Sequence, residues 1–296
     1  MPFRIDGRRV ALFLAISCAA LASAAAQTGF ANPSERAGWE DFLRTARIAD
    51  FVQLGGPEAV TSPWKLTLSK GDVTRFGLWK DIDLDIDRGG PDCWRFEVAA
   101  YRLDVLLGLD MVPPTVDRAF QGRWGSLQLW MEDTESLKGR MARGVDIRED
   151  KREDWDRKAY LERAFDSLIA NDDRNVNNIL IGTDDRMILI DHSRAFQTVE
   201  PFAKTLVYGA SGLRRAADGT PHLFLKLPRA FVEKLRALDA KSVRDAVKSR
   251  LTGREIQVLL VRRDLILKEV DSLIRERGEA DVLYSDQGPA LIRKPQ

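Results

Sequence analysis

The chain has 296 residues, 44% hydrophobic and 31% charged, enough to bury one large core or two small ones. A net charge of +1 and the lack of any long basic run argue against a nucleic-acid partner held mainly through phosphate contacts. With only Cys18 and Cys93, the chain is no disulfide scaffold, and its core must hold it.

The first residues read as a targeting segment. Arg4, Arg8 and Arg9 precede the apolar run VALFLAISCAALASAAA, and Ala24-Ala25-Ala26 fits the small-residue cleavage rule before Gln27. Together these predict a signal peptide over residues 1–26 and an exported, periplasmic or secreted protein. An uncleaved anchor is the alternative, since Val10 to Ala26 is 17 residues, near the shortest length that spans a bilayer. Cleavage leaves 43 basic and 44 acidic residues, a net charge of −1, and Cys93 as the sole cysteine. No second segment is apolar enough to cross a membrane, and a monomer is expected.

Residues 34–48 read as a helix capped by Ser34, within an N-terminal segment 27–46; Trp39, Phe42, Leu43 and Ala46 share one face. WKLTL, SKGD and VTRFGLWK then read as strand, turn and strand, with Phe76, Leu78 and Lys80 on one apolar face because strand side chains alternate. DIDLDIDRGGPD follows as a solvated acidic loop. CWRFEVAAYRLDVLLGL is the clearest helix, with Phe96, Ala99, Ala100, Leu103, Leu106 and Leu107 at helical spacing and Glu97 at the edge of that face. Gly108 ends it, and Pro113-Pro114 forbid its resumption. TVDRAF, QGRWG and SLQLWM make a second hairpin, and residues 136–154 read as a linker or exposed loop. A helix is expected from about Trp155 to Ala170, then two short strands, NILIG and MILID, joined by residues 183–185. Residues 228–277 are helical by pattern and composition. The fold class is therefore α+β: a strand-rich lobe with one packed helix over 47–135, a mostly helical lobe over 136–285, and a tail over 286–296.

Between the helix and the strand NILIG, the stretch IANDDRNVNNILI carries more polar side chains than a turn requires. Five positions, two of them in this loop, hold polar groups where a structural residue would have been easier. Lys80 ends a strand on its apolar face, Glu97 borders a core face, Asp173 and Asn178 lie five apart in the loop, and Asp191 closes the apolar strand Met187–Ile190. Alone, each has a bland reading: a snorkelling lysine, a solvated glutamate, two turn formers and a turn cap. Their order is what phosphoryl transfer from a nucleotide needs. The lysine neutralises the α- and β-phosphates and the glutamate holds it. Asn178 and Asp191 hold magnesium or manganese, and Asp173 accepts the attacking hydroxyl's proton.

The segments NDDRNVNNILI and MILIDHSRAF resemble the catalytic and metal-binding segments of phosphatidylinositol 3- and 4-kinase-like proteins, with their D-R-H-x-x-N loop and I-D-F-G-like strand end. They are also similar to secreted kinases of the Golgi casein kinase type and to HipA-type kinases. RFEVAAYRLDVLLGLDMVPPTV with GSLQLWME resembles the helix and hinge of bacterial proteins in that group. The resemblance covers roughly residues 47–280 and implies a two-lobed protein-kinase-like fold using ATP with Mg2+ or Mn2+. It makes Asp173 the catalytic aspartate, Asn178 and Asp191 the metal ligands, and Lys80 and Glu97 the ion pair. Asn175 stands where the lipid-kinase loop has histidine, and His192-Ser193 stand where Phe-Gly would follow the metal aspartate. No G-x-G-x-x-G is present, so GGPEAVTSPW would cover the phosphates, with Thr61 and Ser62 as donors. Trp130 falls in the hinge, near the adenine pocket. His192 and His222 with one cysteine make no zinc site, and no G-x-S-x-G elbow marks a serine hydrolase. The expected activity is phosphate transfer to a hydroxyl acceptor of unknown class, a protein, lipid head group or sugar. A pseudokinase and a nucleotidyl transferase are the alternatives.

Overall fold

A computed structural model describes residues 33–55, 62–86, 90–200, 202–206 and 222–285. Residues 1–26, expected from the sequence to be a signal peptide, the tail 286–296 and Thr61 lie outside the described residues.

Helix α1, Pro33–Thr45, begins on a proline, whose fixed φ and missing N–H suit a first helical position. Ser34 thus lies inside the helix and is not its cap. The helix stops short of Ile48 because strand β1, Arg47–Gln53, starts there, an element the sequence reading missed. Arg118 closes the helix end by donating to the carbonyls of Leu43 (2.9 Å) and Ala46 (2.7 Å). Strands β2, Trp64–Lys70, and β3, Val73–Lys80, form the expected hairpin. The acidic stretch is not a loop throughout: β4, Asp83–Ile86, pairs antiparallel with β5, Gly90–Cys93. Tertiary backbone bonds fix this hairpin, from Trp94 N–H to Ile82 O and from Cys93 N–H to Ser193 O, both 2.8 Å.

Helix α2 runs Trp94–Leu107 and ends at Gly108, whose φ of 70° lets its N–H reach Asp104 O at 2.8 Å. Strands β6, Thr115–Phe120, and β7, Arg123–Leu129, turn at Gln121-Gly122, both at positive φ as tight hairpins require. The antiparallel sheet has the order β1-β2-β3-β7-β6. One face packs Leu66, Leu68, Trp79, Val116 and Leu127 against Phe42 and Leu43 of α1 and Ala46 just after it, so the N-terminal helix completes the sheet's core.

The segment expected to be a linker is ordered. It holds β8, Thr134–Ser136, helix α3, Leu137–Ala142, and a 3-10 turn, Glu149–Lys151. Arg140 (2.6 Å) and Arg148 (2.5 Å) both clamp the buried carboxylate of Asp185, which supplies the anchoring that the segment's few apolar residues do not. Helix α4, Arg152–Ile169, starts three residues early and ends at Ala170 in the left-handed region. Strands β9, Ile179–Gly182, and β10, Met187–Leu189, complete a sheet of order β10-β9-β8. After β11, Leu227–Pro228, come helices α5, Arg229–Ala237, α6, Ala240–Val247, α7, Gly253–Arg277, and α8, Glu279–Val282, then β12, Leu283–Tyr284. A capping box between Thr252 and Glu255 starts α7. These helices and α4 form a second core, into which α2 sends Phe96, Ala99, Leu103 and Leu107. Helix α2 therefore joins the two halves. Among the described residues, no helix is long and apolar enough to cross a membrane.

Candidate active site

Alternation along β3 sends Gly77 and Trp79 into the sheet core and Phe76, Leu78 and Lys80 to the other, half-buried face. Lys80 therefore sits opposite the most buried face, not on it. Its Nζ lies 2.6 Å from Glu97 Oε1 and 2.6 Å from Asp191 Oδ1. Burial opposes the ammonium charge, but Asp191 and Glu97 outweigh it and raise the pKa well above the usual lysine value. The end of β3 can seat here because Gly125 of β7 lies across it. A Cβ at Gly125 would come within 2.7 Å of the Trp79 ring and would also strike the Lys80 carbonyl.

Glu97, beside the apolar face of α2, is buried, with 3% of its side chain exposed. Its second oxygen accepts the His192 N–H at 3.0 Å, which ties α2 to the segment after β10. Asp191 turns that segment at a φ of 61° and leaves 37% of its side chain exposed. Its Oδ1 also accepts from Ser193 Oγ at 3.4 Å. Lys80 holds the Asp191 carboxyl below the usual carboxylate range, against the effect of burial.

The polar loop is organised by Arg174, which is fully buried. It donates to Asp166 Oδ2 (2.6 Å), Asn178 O (2.5 Å) and Ile190 O (2.8 Å), so one guanidinium fixes the backbone beside both Asn178 and Asp191. Arg174 keeps the Asp166 carboxyl ionised although burial opposes it. It also meets His192 Nε2 at 2.9 Å; a guanidinium only donates, so that nitrogen accepts and the imidazole is neutral. Burial, then Arg174, push the His192 pKa down to about 3. Asn175 and Asn178 both donate their amides to Asp173 O, at 2.9 and 3.2 Å. Since that carbonyl can only accept, the Asn178 amide orientation is fixed and its oxygen is left for a ligand. Asp172 is paired with Arg194 at 3.2 Å, whereas the Asp173 carboxylate makes no hydrogen bond among the described residues. Burial, then the charge of Asp191, raise the Asp173 pKa.

The structure thus joins Lys80, Glu97 and Asp191 directly and links Asp173 to Asn178, with Arg174 bracing both groups. Ser62 stays apart: it is exposed, and its carbonyl accepts from the Gln53 amide at 3.2 Å. Trp130 places its ring against Lys65, whose Nζ lies 4.3 Å from the ring centroid, and the Trp130 backbone N–H donates to Phe76 O at 3.0 Å. The sequence reading missed Asp92. It is 4% exposed, its Oδ1 is buried with no hydrogen-bond partner, and its charge helps to raise the Asp173 pKa. A Gly-Pro-Asp-Cys strand five residues before Glu97 carried no apolar pattern to expose that role.

Comparison with solved structures places the chain beside hydra Fam20, solved with a sugar. The TM-score is 0.60 at 15% identity, over 86% of this chain and 94% of that one. The Helicobacter pylori proinflammatory kinase CtkA also matches, with a TM-score of 0.47 at 11% identity, over 80% of this chain and 96% of that one. No family model and no curated protein matches the sequence. The chain has an α+β, two-lobed, kinase-like fold.

Proposed function

We propose that the cleft transfers the γ-phosphate of ATP to a hydroxyl-bearing acceptor, as an atypical kinase. The observation that carries this reading is Lys80 Nζ at 2.6 Å from both Glu97 and Asp191, beside an Asp173 carboxylate with no partner among the described residues. Glu97 holds the ammonium forward, where it can neutralise the nucleotide's phosphates. Among the described residues no three His, Cys, Asp or Glu side chains form a ready-made metal cage. Magnesium or manganese in this role would be bound through one or two protein oxygens and the substrate's phosphates. Asn178 Oδ1 and Asp191 would hold it, and Asp92 adds anionic charge nearby. Bound there, it would neutralise charge on the transferring phosphoryl group. Asp173 orients the acceptor hydroxyl and takes its proton, and its raised pKa makes it a better base than an ordinary aspartate. Asp172, held by Arg194, is the poorer candidate. The basic and apolar pattern of residues 1–26, read as a signal peptide, favours a site of action outside the cytoplasm.

Parallel incubations of the chain with γ-labelled and α-labelled ATP test this reading. The acceptors would be sugars, proteins and lipid head groups, sugars first because hydra Fam20 was solved with one. Transfer of the γ-label alone supports a kinase. Transfer of the α-label makes the protein a nucleotidyl transferase, and transfer of neither label makes it a nucleotide-binding module.

A further inference from the structure

A cavity of about 580 Å3 opens between α1, α2, β6 and the turn after α6, and none of Lys80, Glu97, Asp173, Asn178 and Asp191 lines it. The volume is that of a small-molecule site. Its walls carry more positive than negative charge. Arg44 (2.8 Å) and Arg102 (2.9 Å, through both terminal nitrogens) share the one carboxylate of Glu40, which leaves one guanidinium charge over. Arg250 is matched by Asp117, and Asp245 is already paired with Lys241 at 2.6 Å. Lys248 is exposed and forms no ion pair among the described residues, so it adds a second unmatched charge. Its backbone has φ 52° and ψ −128°, a conformation that favours glycine, yet a lysine stands there. Val98, Val105 and Leu106 supply an apolar wall beside these charges.

We propose that this cavity binds a small phosphomonoester, a ligand whose double negative charge matches the two unmatched cations and whose carbon body packs on Val105 and Leu106. Guanidinium forks fit phosphate oxygens bidentately, and a phosphate monoester carries nearly two charges at neutral pH where a carboxylate carries one. Repulsion supports the assignment: burial, then Arg102 and Arg44, lower the Arg250 pKa, so the three guanidiniums share a field that an anion would relieve. The site is independent of the kinase reading.

Calorimetric titration of the Asp191→Ala chain with phenyl phosphate, phenol and benzoate isolates the cavity from the candidate nucleotide cleft. Phenyl phosphate should bind saturably at one site, and phenol and benzoate at least about tenfold more weakly, the scale of one charge-assisted hydrogen bond. Adding Lys248→Gly or Arg44→Gln should each weaken phenyl phosphate by about tenfold on the same grounds. Glycine suits the backbone at 248, so that variant should melt no lower than its parent. Absence of saturable binding, benzoate binding as tightly as phenyl phosphate, or an affinity in both added variants equal to that of their Asp191→Ala parent overturns the proposal whatever the fate of the kinase reading.

Discussion

The Lys80–Glu97–Asp191 cluster makes an asymmetric prediction about stability. Lys80→Met leaves Glu97, with 3% of its side chain exposed, facing only the His192 N–H and no cation. Breaking a buried pair this way costs about 3–5 kcal/mol, because the stranded charge is uncompensated. Glu97→Gln is milder. Lys80 keeps Asp191 at 2.6 Å, the new amide oxygen can still accept a hydrogen bond, and the loss is about 1–2 kcal/mol, one charge-assisted bond weakened. In the double variant no buried carboxylate is stranded at position 97. It should therefore be more stable than Lys80→Met alone, by about 1–3 kcal/mol, which is strong non-additivity. Urea titrations of the four chains at pH 7 measure this directly. Calorimetry with Mg-ATP on the same chains should show the double variant binding no worse than Lys80→Met. Additive destabilisation, with the double variant the least stable, would falsify the claim that Lys80 and Glu97 act as one buried pair.

Gly125→Ala should destabilise the fold by about 1–3 kcal/mol, the cost of overpacking, because its Cβ meets the Trp79 ring and the backbone at Lys80. It should also weaken Mg-ATP binding, and a calorimetric affinity equal to that of the wild type would detach Lys80 from the nucleotide site. Asp104 is fully buried, and burial pushes its pKa up to about 7, against hydrogen bonds from the Met111 and Val112 N–H groups. Its folded pKa is above the unfolded value of about 3.9, so the folded state binds the extra proton and this group's contribution to stability declines as pH rises from about 4 to about 7. Urea midpoints of Asp104→Asn should lack that component of the slope; curves parallel to wild type across the window would show that Asp104 is ionised throughout. Asp191→Ala should abolish metal-dependent ATP binding, since it removes a charged oxygen that Asn178 cannot replace; unchanged calorimetric affinity would take Asp191 out of the site.

The residues of the cleft were legible because each interrupts a strong local pattern. Lys80 ends an apolar strand, Asp191 follows one by two residues, and the loop 170–178 has polar groups beyond what a turn uses. What was not legible depends on contacts far along the chain. Strand β1 is a sheet edge with an exposed burial pattern, so no alternation marked it. The β4–β5 hairpin is held by bonds to Ile82 and Ser193, and α3 by arginines on Asp185, partners that local sequence does not reveal. Glu97 was placed at the border of the core face, but its full burial was not legible, because a helical wheel omits the His192 segment that covers it. Arg174 was passed over for its acidic neighbours, though its buried guanidinium, bonded to Asp166, His192 and the carbonyls of Asn178 and Ile190, organises the loop. A dense polar loop with one arginine at its centre is the signal that could have found it.

Transfer of γ-label from Mg-ATP or Mn-ATP to a hydroxyl acceptor, compared between wild type, Asp173→Asn and Asp172→Asn, tests the central claim most directly. All three chains should melt alike and bind the metal nucleotide. Wild type and Asp172→Asn should transfer label, while Asp173→Asn loses about 100-fold or more in turnover, the scale of a lost general base. Inactivity of Asp172→Asn beside an active Asp173→Asn would move the base to its neighbour. Full activity in both variants, or no transfer by a wild type that binds Mg-ATP, would contradict the account.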